Sequence, residues 1–212
     1  MGCSPHNSGQ QQLMRQPMIQ DDLGFIPLVT KKQCTPFCYE LAKRSLVAAE
    51  MQINRIWAPR EKPKSLSEFR SAYDPLLVDI HFYFVSIRNI NRYLKELTND
   101  ELFSCLKDKF IIMENSFFAH FKNGRDALEH MNERLPGNKY ANRTKEITEN
   151  GCTRSVHAGV SLKRGIYYYS DQEWDISDNE FRKMKSQIDN FLQNVLDIAM
   201  KEYQKRFPPV QP

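Results

Sequence analysis

The segment Arg125-Asp126-Ala127-Leu128-Glu129-His130 holds the residues best suited to chemistry in this chain. Five residues on a helix advance about 500°, a net of roughly 140°. Arg125 and His130 then stand on broadly adjacent faces, and each can address one phosphate without touching the other. An imidazole titrates near neutrality and can act as general base on a ribose 2′-hydroxyl. A guanidinium can neutralise the charge that builds on phosphorus as the new bond forms. Asp126 lies four residues before His130, within helical reach, and can orient the ring. This chemistry needs neither metal nor cofactor, and a strand without 2′-hydroxyls would be inert. Arg88 and Arg92, on an upstream helix, and Arg134 are the residues expected to hold substrate phosphates.

Other chemistries lack their residues. There is no Gly-rich phosphate loop and no His-Glu-x-x-His, and the five histidines include no pair at helical ligand spacing. Cys34 and Cys38 could sit one helical turn apart as half of a metal site, but no second half follows, so no metal is expected. Five cysteines, an odd number at irregular spacing, read as reduced thiols of a cytoplasmic protein. Tyr167-Tyr168-Tyr169 could stack bases, but alternation puts Tyr168 on one side and its neighbours on the other, which favours packing with one exposed ring. Phe117-Phe118, beside His120, is read as core.

The elements that must position these residues are mostly helical. Thr35-Pro36 starts a helix with Thr as N-cap, running to Trp57 with an apolar face of Phe37, Leu41, Leu46, Val47, Ile53 and Ile56. Residues 59–73 read as a charged linker. Asp74-Pro75 then starts a long helix to about Leu97, apolar almost all round at Leu76 to Val85 and therefore central. Thr98-Asn99-Asp100-Glu101 starts a further helical stretch through 121, which Asn123-Gly124 breaks or bends. Helical character resumes from Arg125 to Leu135, and residues 138–154 read as loop. A β-hairpin follows near 155–170, turning at Lys163-Arg164-Gly165. Ser177 and Glu180 form a capping box, stapled by Ile176 and Phe181, ahead of a last helix to about Phe207. The expected fold is mostly α: an antiparallel helical bundle of four to five helices with a small inserted β-hairpin. Residues 1–33 read as a polar, loosely ordered leader whose Phe25–Val29 patch tacks onto a single domain spanning 34–207. The start Met1-Gly2-Cys3-Ser4 carries His6 where an acyl-anchor signal wants Ser or Thr.

The Arg-polar-x3-His pattern of Arg125 to His130, late in a helical array, resembles the signature of the HEPN superfamily. The resemblance covers those six residues closely and the bundle loosely. It implies a homodimer that brings two copies of the motif together across a cleft. It also implies RNA as substrate and a metal-independent endoribonuclease of the kind used by toxins or in phage defence, with an antitoxin as a possible partner. Some relatives place a Tyr two residues after the His, where a partner nucleotidyltransferase modifies it. Asn132 stands there in this chain, which points to a different branch.

The same helix also fits a solvated face. Glu129 lies four residues after Arg125, Glu133 four after Glu129, and Arg134 four after His130, pairs worth a few tenths of a kcal/mol each. A non-catalytic HEPN-like interaction or nucleotide-binding module therefore stays open beside the nuclease. The net charge of +4, from 30 Lys and Arg against 26 Asp and Glu, permits a polyanion without demanding one. With 41% hydrophobic residues in 212 the chain can build one core, and no apolar run is long enough to cross a membrane.

Overall fold

A computed structural model describes residues 24–61, 64–121, 124, 145–149, 152–156, 158–161, 164–169 and 172–208. Within them the helices are α1 (Ile26–Val29), α2 (Thr35–Ile56), α3 (Leu66–Thr98), α4 (Lys107–Met113) and α5 (Asp178–Arg206). A 3-10 turn, Glu101–Leu106, leads into α4, and a π-helical turn, Glu114–Phe118, follows it. The protein is a mostly helical bundle of about five helices with a small antiparallel sheet.

α3 is the central element. Leu76, Ile80, Phe84, Ile87, Ile90, Leu94 and Leu97, spaced by three and four, are all buried. α2 lies antiparallel along it: Arg55, at the end of α2, meets Asp79 at 3.1 Å, while Cys38, near its start, lies beside Arg92 and Glu96. The short α1 puts Ile26 and Val29 into the core against α5, so the expected Phe25–Val29 patch does tack onto the body.

Two boundaries differ from the sequence reading. α3 begins nine residues early, at Leu66 rather than Pro75. Ser65 accepts from the Glu68 N–H at 3.2 Å and Glu68 accepts from the Lys64 N–H at 2.6 Å, a start strong enough to carry Pro75 within the helix. Thr35 is not the cap of α2, which starts after Cys34. Its hydroxyl instead donates at 2.9 Å to the carboxylate of Asp100. Asp100 is fully buried, caps the following 3-10 turn through Leu102 N–H at 3.0 Å, and also accepts from Lys32 N–H at 3.2 Å, so one carboxylate ties three chain segments together.

The sheet exceeds the expected hairpin. β1 (Lys145–Glu149), inside the stretch read as loop, pairs with β2 (Cys152–Val156), which runs from that stretch into the expected hairpin. β3 (Ala158–Ser161), β4 (Ile166–Tyr169) and β5 (Gln172–Asp175) form a three-stranded antiparallel sheet with Tyr167 opposite both Val160 and Trp174. The predicted turn is where it was expected. Gly165 has φ +71°, and a Cβ there would lie 2.8 Å from that of Ser177. α5 starts at Ser177, whose hydroxyl accepts from Glu180 N–H at 3.2 Å, and buried Ile176 and Phe181 staple it. The Ser177 N–H donates to Asp175 at 2.8 Å, so the reciprocal half of the box comes from β5.

Candidate functional site

Gly124 is the last described residue before the Arg125–His130 motif, and its surroundings fix how the chain reaches that motif. The π-helical turn and the residues after it pack Phe117, Phe118 and Phe121 into the core, with Phe117 and Phe118 edge to face at 4.5 Å. Phe121 lies 5.6 Å from Phe84 and 5.7 Å from Tyr83, centroid to centroid. His120 is exposed, and its carbonyl accepts from the indole of buried Trp174 at 2.9 Å. Gly124, half of the pair expected to break or bend the path, is buried and helical, and Asn123 lies outside the described residues. A Cβ there would stand 2.9 Å from Phe84 and 3.0 Å from the Trp174 indole nitrogen. Glycine is needed here for closeness to two aromatic rings, not for a turn.

That contact lies on α3 one turn before Arg88 and two before Arg92. Both arginines are exposed. Successive i, i+4 residues rise about 6 Å along a helix, close enough for both to reach one strand of phosphates. The Arg92 guanidinium lies 4.7 Å over the Tyr93 ring and donates to its hydroxyl at 2.7 Å, which orients it. Lys95, one turn beyond Arg92 and exposed, extends the row. Its i, i+3 spacing from Arg92 was the available signal, and the sequence reading passed it over. Arg125, Asp126, His130 and Arg134 lie outside the described residues.

The tyrosine run is corrected. Tyr167, Tyr168 and Tyr169 are all at most 1% exposed, so Tyr168 offers no open ring to a base. Alternation does send them to different sides, for Tyr167 packs on Phe84 and Trp174 while Arg164 lies 5.9 Å from the Tyr168 ring, but both sides are covered. Phe117 and Phe118 are core, as expected.

Cys34 is exposed and Cys38 buried. Burial, helped by the neighbouring Cys34, pushes the Cys38 thiol up to about 11. Among the described residues, no three His, Cys, Asp or Glu side chains cluster where they could hold a metal, and no helix is long and apolar enough to cross a membrane. A groove of about 320 Å³ between α2 and α5 carries Glu50, Asp178, Arg182, Lys185 and Asp189. Its cations are matched within it: Arg182 to Asp178 at 2.6 Å, Lys185 to Asp189 at 3.0 Å and to Glu50 at 3.8 Å. No known protein family, curated protein or solved structure matches the chain.

Proposed function

We propose that this chain is a HEPN-like, metal-independent endoribonuclease of toxin or defence type, acting in the cytoplasm as a homodimer and held in check by an antitoxin partner. The observation that supports it is the seat of Gly124 against Phe84 and Trp174, one helical turn from Arg88. The motif begins at the next residue, about 3.8 Å along the chain.

In this reading His130 takes the proton from a ribose 2′-hydroxyl, and the freed oxygen attacks the adjacent phosphorus. Arg125 offsets the charge gathering on the phosphate oxygens. Asp126 orients the imidazole. The P–O5′ bond breaks, the leaving oxygen takes a proton from water, and a 2′,3′-cyclic phosphate remains. Arg88, Arg92 and Arg134 hold phosphates of the same strand. Their role is local because the net charge is only +4. The test is cleavage of a broad RNA set in EDTA by wild type, His130→Ala and Arg125→Ala. Wild type cuts and both variants lose at least about 100-fold, the usual contribution of a general base or an oxyanion donor. Equal cutting by all three rejects the assignment.

A further inference from the structure

The sequence reading assigned Phe37, Leu41 and Val47 to the buried face of α2. The structure turns them outward, at 69%, 37% and 57% exposure, with Met51 at 59%. Tyr39, Ala42, Leu46, Ala49 and Ile53 fill the core side instead. α3 adds Val78 and Phe82, each 51% exposed. The antiparallel register set by Arg55 and Asp79 brings Phe82 alongside Met51. Six large apolar side chains thus lie on one outer surface of the α2–α3 pair, where a soluble domain ordinarily exposes scattered single ones.

Two ion pairs on this surface are lopsided. Arg44 pairs with Glu40 at 2.8 Å, but the arginine side chain is 73% exposed and the glutamate 29%. Arg55 pairs with Asp79 at 3.1 Å, at 62% against 6%. In each pair the anion is tucked in and the cation faces solvent. At the start of α2 the surface opens into a groove of about 520 Å³ lined by Pro27, Pro36 and Phe37 together with Lys31, Lys32, Glu40 and Arg44; Lys31 is paired with the exposed Glu101, and Lys32 and Arg44 remain for an incoming anion.

From this complementarity we infer that the outer face of α2 and α3 docks an acidic amphipathic helix of another protein. Phe37 to Met51 spans about 21 Å of helix, which a ligand helix of about 14 residues would cover. Leucines at i, i+3, i+4 and i+7 would seat on the apolar row, and flanking glutamates would meet Arg44, Arg55 and Lys32. The inference stands apart from the nuclease reading and uses none of its residues.

The probe is a fluorescein-labelled helical peptide of about 15 residues, leucine on that spacing and glutamate on its flanks, titrated with full-length protein. A lysine-flanked copy is the control. The acidic peptide binds in the micromolar range and at least about tenfold more tightly than the basic one. Met51→Glu and Phe82→Glu each weaken it about tenfold, and Arg44→Glu with Lys32→Glu reverses the preference for charge. All four positions are exposed, and unchanged melting curves confirm that the variants fold. Three results overturn the inference: equal affinity for both peptides; sedimentation of wild type as a dimer that Met51→Glu splits, which gives the face to a second copy; and binding to anionic phosphatidylglycerol vesicles, but not to the acidic peptide, that Met51→Glu abolishes.

Discussion

Replacing Gly124 with alanine tests the packing that leads into the motif. At an open helical position the change is favourable by up to about 1 kcal/mol, because alanine loses less backbone freedom. Here the new methyl would stand 2.9 Å from Phe84 and 3.0–3.1 Å from the Trp174 indole. Both rings are at most 1% exposed, so neither is a flexible end that can swing aside. Overpacking of this kind costs about 1–3 kcal/mol. A displaced Trp174 also loses its hydrogen bond to the His120 carbonyl, about 1 kcal/mol more. Set against the helical gain, the net loss is about 1–3 kcal/mol, or roughly 2–12 °C in Tm for a chain of this length. Thermal unfolding by circular dichroism measures it. Trp174 fluorescence in a Trp57→Phe background shows whether the indole has moved. A Tm that stays level or rises would refute the reasoning, because it would mean that the segment before Arg125 is not packed on Phe84 and Trp174.

Asp100→Ala removes an acceptor shared by Thr35, Lys32 and Leu102 and should cost about 2–4 kcal/mol in urea unfolding with the slope unchanged, while Asp100→Asn recovers about half. A loss under about 0.5 kcal/mol for the alanine variant would remove Asp100 as the tie between segments. Tyr83 is fully buried, its hydroxyl has no hydrogen-bond partner among the described residues, and burial pushes the phenol above its ordinary 10.0. Tyr83→Phe should therefore be neutral or stabilise by up to about 1 kcal/mol, and a clear loss in the same assay would mean the hydroxyl is engaged. For Cys38 the folded protein holds the thiol proton up to about pH 11 against 9.0 for an ordinary thiol. The stability this contributes is complete below pH 9 and is lost as pH climbs towards 11, more steeply in wild type than in Cys38→Ala. Parallel pH–stability curves for the two proteins would count against that burial.

Periodicity revealed the long helices, and it failed where two faces of one helix were both apolar. α3 read correctly because Leu76, Ile80, Phe84 and Ile87 are large and evenly spaced. The same segment suggested burial all round, yet Val78 and Phe82 face solvent. On α2 the large residues Phe37, Leu41 and Val47 outweighed Tyr39, Ala42 and Ala49, and the small alanines gave little sign that they mark where helices approach closely. The start of α3 was hidden by Pro75, a strong local signal overridden by the Ser65–Glu68 cap. β5 was missed because Gln172–Asp175 is mostly polar, and only Trp174 faces inward. The route into the candidate site was half legible. Gly124 reads from the sequence only as a break or bend, because no local pattern reveals the two rings that long-range packing brings against it.

The most direct test of the nuclease account uses two strands of one sequence, an RNA that the protein cuts and its copy with a 2′-deoxyribose at the cut site, both in EDTA. The account predicts cleavage of the first to a 2′,3′-cyclic phosphate, no cleavage of the second, and loss of the first reaction in His130→Ala. Cleavage of the deoxy-substituted strand at the same bond, or full activity in His130→Ala, would contradict it.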